Sequence, residues 1–289
     1  MNSTHSNTGV LCMIGSAVFF ALGGLLIKLN SMPALSINGL RCFFSFIVLL
    51  IYMKLRKHHF VLNGGTLLCT VANAGMCLAF VYANKLTSAA NAIVLQFTMP
   101  IFIILIMWLF FHRKPEKSSL IACFVSFVGI LFFFFDSLTL QGLLGILLAI
   151  LSGMLYAVVF VSKQIRGCDF ESAVLLSFVI SFLMALPTIL TKTEYTPVNV
   201  ITVVILGVFQ MAVSYILLAR GLQSVPPVAA SLISMVEPVL NPILVAVFYG
   251  ELIGPLSLVG AVIVIASATV YNVLEAAKSN KSNRKEVFE

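Results

Sequence analysis

Two ionisable residues lie deep within the apolar stretches of this 289-residue chain, Arg41 and Glu237. A charge in apolar surroundings is costly unless it has a partner or a polar cavity. Arg41 can meet a carboxylate, and Glu237 can hold an amine or carry a proton. Each has a structural alternative: Arg41 reaching outward or holding backbone carbonyls, and Glu237 sitting protonated against a broken helix. Around Glu237 runs a polar stripe, Ser231, Ser234, Glu237 and Asn241, whose spacing keeps all four near one helical face. Pro238 and Pro242 each remove a backbone donor and crowd the preceding turn, freeing carbonyls there. Asn91 and Gln96 precede Pro100 in a comparable arrangement. A single Ser reads equally well as glue between helices. The whole stripe beside a carboxyl favours a cavity.

Aromatic candidates are Phe20, Tyr156 and Tyr215, with Asn73 and Gln210 at matching places; packing is the competing role in a chain with 24 Phe. Reactive constellations are missing from the sequence. The four histidines (5, 58, 59 and 112) and both aspartates (136 and 169) fall outside the apolar stretches. No HExxH, Walker A motif or Cys/His cluster occurs, and Ser152-Gly153 has no His in a neighbouring stretch. The six cysteines read as small buried hydrophobes. No enzyme activity, metal or cofactor is expected.

Elements must position those polar groups. With 61% hydrophobic residues, 9% charged residues and a mean hydropathy of +1.11, the chain lacks the polar surface of a soluble domain, which carries about 25% charged residues. It reads as an integral membrane protein. Ten helices are expected, at 8–29, 34–54, 64–83, 87–111, 118–135, 139–161, 171–191, 198–219, 227–249 and 255–275. Each approaches the ~20 residues that span a bilayer core. With the N-terminus inside, thirteen Lys and Arg fall on inner segments and three on outer ones, with Arg41 inside a helix. That bias places both termini in the cytoplasm and the chain in the cell (plasma) membrane. It also accounts for the net charge of +7 without nucleic acid. Lys28, Lys85 and Lys192 are expected to snorkel at outer helix ends, and residues 276–289 to form a solvated cytoplasmic tail.

The chain resembles itself at an offset of about 136–138 residues. Ser16-Ala17-Val18-Phe19-Phe20-Ala21 parallels Ser152-Gly153-Met154-Leu155-Tyr156-Ala157. Ala83-x-x-Leu86-x-Ser88 parallels Ala219-x-x-Leu222-x-Ser224, and Met99-Pro100 falls opposite Glu237-Pro238. Five helices per half is an odd number, so the second repeat (139–275) would enter the membrane inverted relative to the first (8–135). The expected fold class is therefore an all-α integral membrane protein with ten transmembrane helices in two inverted five-helix repeats.

On Ala219-Arg220-Gly221-Leu222, Ala229-Ala230, Glu237-Pro238-Val239, Tyr249-Gly250-Glu251 and Gly260, the sequence resembles the drug/metabolite transporter superfamily, in its EamA-type ten-helix branch. The first half carries Ala89-Ala90-Asn91-Ala92, Met99-Pro100-Ile101 and Gly129, and departs from the pattern at His112-Arg113. The resemblance implies a secondary active transporter, an exporter of a small metabolite such as an amino acid or drug-like compound, working by alternating access. Coupling to a proton or solute and partnership with the lipid bilayer follow from it. A non-transporting membrane subunit or receptor, or an intramembrane enzyme, remains the alternative. Candidate substrate-binding residues are Gln96, Asn91, Gln210, Tyr215, Tyr156, Ser234, Glu237, Asn241 and Arg41. Glu237 is the coupling candidate, and Pro100 and Pro238 shape the site.

Overall fold

The computed structural model describes residues 3–87, 89–134, 142–240 and 255–288, and every regular element among them is helical. Leu-, Ile- and Phe-rich runs become helices because apolar surroundings offer the backbone no outside partner, and a helix satisfies its own N–H and C=O groups. In chain order the elements are α1 (Ser3–Phe20), α2 (Leu22–Leu29), α3 (Ala34–Leu55), α4 (Gly64–Leu86), α5 (Ala89–Gln96), α6 (Met99–Leu109) and α7 (Lys117–Phe134). The second half follows with α8 (Leu143–Phe160), α9 (Phe170–Lys192), α10 (Pro197–Ile205), a π-helical stretch (Leu206–Val213), α11 (Ser214–Gly221), α12 (Pro227–Ser234) and α13 (Pro255–Phe288). Among the described residues, seven apolar helical segments are long enough to cross a membrane, and three shorter ones cover 117–132, 227–240 and 259–271.

Several expected helices are interrupted. The first breaks at Ala21, just before the weak helix formers Gly23 and Gly24. The fourth breaks at Phe97–Thr98 and the ninth at Met235, each three residues or fewer before its proline. The last runs on to Phe288, since Glu275, Ala276, Ala277 and Lys278 are good helix formers. Residues 241–249 of the ninth expected helix, Asn241 and Pro242 included, lie outside the described residues.

Polarity is turned outside in. Leu55, Leu190 and Phe110 are about three-quarters exposed, whereas Asn30, Asn73, Asn84, Ser45 and Arg41 are buried. A lipid-facing surface with polar residues gathered inside explains both observations. The helix α3 packs on α9 and on the π-helical stretch, α4 on α8 and α9, α1 on α11, and α7 on α13. Small residues permit the closest of these approaches. A Cβ on Gly39 of α3 would overlap Ala185 Cβ and lie 3.0 Å from Ile189 Cδ1 on α9. Gly39→Val should lower the detergent melting temperature, with overpacking costing about 1–3 kcal/mol. Gly64→Ala is the control, because that Cβ would meet nothing within 4 Å. Equal melting of the two variants would contradict the close contact.

Candidate functional site

The helix breaks come first. Pro100 has no N–H for the Gln96 carbonyl, and Pro238 has none for Ser234, so α5 ends at Gln96 and α12 at Ser234. The released Gln96 carbonyl faces α8, where a Cβ on Gly153 would sit 2.6 Å from it. Gly153 thus lets α8 approach the break. On the opposite wall, the π-helical stretch carries Gln210, and such stretches often reposition functional side chains. Gly207 in that stretch has no room for a Cβ, which would fall 2.7 Å from the Arg41 carbonyl oxygen.

Between these walls lies a cavity of about 30 Å³, room for about one or two waters. Arg41, Gln96, Gln210 and Glu237 supply its polar lining, and Phe20, Phe80, Tyr156, Tyr215, Met76, Cys77 and Met211 the rest. Six of the nine residues singled out from the sequence as substrate-binding candidates therefore come together: Arg41, Gln96, Tyr156, Gln210, Tyr215 and Glu237. Ser234 is buried on α12 but does not line the cavity. Asn91 lies on α5 with its side chain outside the description, and Asn241 lies outside the described residues.

Three of the lining side chains have spare polarity. Arg41 Nε, Gln210 Oε1 and Glu237 Oε2 are buried without a hydrogen-bond partner among the described residues. Arg41 donates through Nη2 to Asn38 Oδ1 and to the Cys77 carbonyl, both at 3.1 Å. The structural alternative for Arg41, a grip on backbone, is thus realised while its Nε stays free. Among the described residues it forms no ion pair with Glu237 or any other carboxylate.

The remaining walls are held firmly. Tyr215 donates its hydroxyl to Asn73 Oδ1 at 2.6 Å, and Asn73 Nδ2 donates to Ser177 Oγ at 2.7 Å. Phe20 meets Tyr215 and Tyr156 edge-on, with ring centroids 5.3 and 6.4 Å apart. The sequence reading missed Met76, Phe80 and Met211 as wall residues, and took Cys77 for a plain hydrophobe. A signal existed: Asn73, Met76, Cys77 and Phe80 share one face of α4 at helical spacing.

A second titratable group lies at one end of the bundle, hereafter the His58 end. His58 Nε2 is 2.9 Å from Asp169 Oδ2 and 3.5 Å from Glu171 Oε2. Asp169 also caps α9 by accepting from Ser172 N. Burial would push the Asp169 carboxyl up, but hydrogen bonds from Ser172 and His58 outweigh it and hold the group below the ordinary carboxylate value. The stability it lends is complete above that ordinary value and fades as pH falls through the lowered one. These three side chains are close enough to hold a metal ion. The positive end of α9 opposes a cation there, and Asp169 is already committed to its cap and to His58.

The family model for EamA-like transporters matches residues 7–135 and again 143–273. The chain belongs to the EamA-like transporter family. An uncharacterized transporter of Bacillus subtilis (strain 168), YwfM, is 28% identical over 212 residues, covering 68% of this chain and 71% of the relative. An uncharacterized transporter of Clostridium kluyveri is 22% identical over 230 residues, covering 75% of this chain and 73% of its own length. A solved crystal structure shares the fold with a TM-score of 0.80 at 15% identity, over 93% of this chain and 98% of that one. The chain is thus a multi-pass membrane protein of a transporter family. The EamA-like match occurs twice, and Gln96 and Ser234, the last residues before each break, fall at corresponding places in the two copies.

Proposed function

We propose that the chain is a secondary active transporter exporting a small zwitterionic metabolite, such as an amino acid or a drug-like amine with a carboxylate. Ten membrane helices in two inverted repeats would carry it by alternating access. The observation that carries the reading is an Arg41 with a free Nε and a Glu237 with a free Oε2 on one aromatic-walled cavity, not ion-paired with each other or with any other group among the described residues. Two buried charges that neutralise each other need no ligand. Two that stay apart fit opposite ends of one molecule, with Phe20, Tyr156 and Tyr215 against its apolar body. A cavity of about 30 Å³ is far below the ~300 Å³ of a typical ligand pocket. Substrate entry therefore requires helix movement, and the breaks at Phe97–Thr98 and Met235 supply hinge points.

Flux into proteoliposomes against a panel of labelled amino acids and amines tests the reading. Saturable counterflow of a zwitterion supports it. Flux of none of them, with tight binding to a partner protein, favours a receptor or non-transporting subunit instead.

Orientation follows the basic-residue bias, which sets the His58 end and both termini in the cytoplasm. Single cysteines at positions 58 and 284 should react with an impermeant reagent only from the cytoplasmic side, and one at 194 only from outside. Reaction of 194 and 284 from the same face would overturn the inverted arrangement.

A further inference from the structure

Two clusters of side-chain hydrogen bonds tie the halves of the chain together, one at each end of the bundle. At the His58 end, Asn63 Nδ2 donates to the Gly167 carbonyl, and Asp169 N donates to Thr66 Oγ1 at 3.1 Å. At the other end, Asn199 Oδ1 accepts from Ser31 N at 3.0 Å and its Nδ2 donates to Ser31 Oγ at 2.9 Å. Thr202 Oγ1 there accepts from Asn30 Nδ2 at 2.9 Å. The clusters use the same parts. Asn63 and Asn199 are 136 residues apart, as are Thr66 and Thr202, and as are the residues that the two Asn side chains reach, Gly167 and Ser31.

That separation lies within the offset of the internal repeat. The helices bearing the two Asn-x-x-Thr runs start from opposite ends, since α4 begins beside Gly167 and α10 beside Ser31. Each run begins a helix of one half and grips the connector between the first two long helices of the other half. Gly167 has φ +73°, a backbone shape that suits glycine and presents its carbonyl to Asn63. Lys85 reinforces the far end, donating to the Asn30 carbonyl at 2.7 Å rather than only snorkelling. His58 with Asp169 and Glu171 reinforces the near end.

We infer that Asn63 with Thr66, and Asn199 with Thr202, are paired latches that close the two mouths of the cavity in turn. The inference rests on the alternating-access reading above. With both latches made, the cavity among the described residues holds about 30 Å³, too little for a metabolite. Both latches are side-chain hydrogen bonds to connectors, made by the buried Thr66, Asn199 and Thr202 and lying outside the helices' own backbone ladders, so they can break without unfolding a helix. Releasing one latch favours the conformation open at that end, and the inverted repeat makes the two conformations near mirror images in energy.

Cys77 offers a built-in probe, because it lines the cavity. In a chain with the other five cysteines replaced by Ala, an impermeant maleimide is applied from either side of oriented vesicles. Asn63→Ala with Thr66→Val should raise the Cys77 labelling rate from the His58 side by about tenfold, one 1.4 kcal/mol step in the equilibrium. Labelling from the other side should fall. Asn199→Ala with Thr202→Val should do the reverse. As a second pair of variants that does not rely on weakened bonds, cross-linked cysteines at 58 and 169 should leave Cys77 reachable only from the far side. Cross-linked cysteines at 31 and 199 should leave it reachable only from the His58 side.

Labelling from both sides in the parent that neither latch variant nor cross-link alters would overturn the latches alone. Labelling from the same single side in the parent and in every variant would overturn alternating access itself, and the latches with it.

Discussion

Glu237→Gln should reach the membrane in normal amounts, keep substrate exchange, and lose net transport driven by a pH gradient. Gln matches the shape of Glu but cannot take up and release a proton. Glu237 Oε2 has no partner among the described residues, and the side chain lies on the cavity just after the Met235 break. A carboxyl so placed is relieved either by a proton or by a cationic group. Exchange of those two on one carboxyl would couple their movements in opposite directions. Losing the charge-assisted contact should also raise the amine concentration needed for half-maximal exchange by about 10- to 100-fold, so exchange is kept at saturating substrate. The measurement is accumulation in proteoliposomes with and without an imposed pH gradient, set against counterflow at equal pH. Retention of pH-driven accumulation at the wild-type rate would end the coupling role.

The second large effect concerns Arg41. Its buried guanidinium serves two acceptors, Asn38 Oδ1 and the Cys77 carbonyl, and still carries a free Nε. Arg41→Met should destabilise strongly, because each orphaned buried acceptor costs about 1–3 kcal/mol. Arg41→Lys keeps the charge but loses the planar fork, so it can serve the backbone or a ligand but not both well. The expected result is a folded Lys variant whose apparent affinity for a zwitterionic substrate falls about 10-fold or more, the scale of one lost hydrogen bond to a charged group at about 1.5 kcal/mol. The corresponding amine without its carboxylate should be unaffected. Equal losses for both compounds would make Arg41 a structural residue only, binding α3 to α4.

The two variants also separate folding from binding, because the halves of the site are held differently. The Tyr215–Asn73–Ser177 chain fixes its aromatic wall through bonds complete within the protein. The cavity-lining atoms without a partner among the described residues belong to Arg41, Gln210 and Glu237. Damage to the first set should appear in melting temperature, and damage to the second in transport.

Much of this molecule was readable from residue order, wherever the deciding physics is local. A run of about 20 apolar residues becomes a helix because lipid leaves its backbone no other partner. A proline acts on the carbonyl four residues before it, so the sequence marked Pro100 and Pro238 as shaping the site. The expected helices at 87–111 and 227–249 ran through them, while the structure ends α5 at Gln96 and α12 at Ser234. A buried charge is costly anywhere in an apolar stretch, which brought out Arg41 and Glu237. Tertiary structure decided what depends on which helices touch. Arg41 grips Asn38 and Cys77, and among the described residues forms no ion pair with Glu237, because α4 supplies the carbonyl beside it. Gln210 faces the cavity from a π-helical stretch that no composition rule marks. Asn63 and Asn199 look like ordinary polar residues near helix starts until the fold brings Gly167 and Ser31 against them. Their partners lie more than a hundred residues away in the chain, and only packing of the two halves sets that distance.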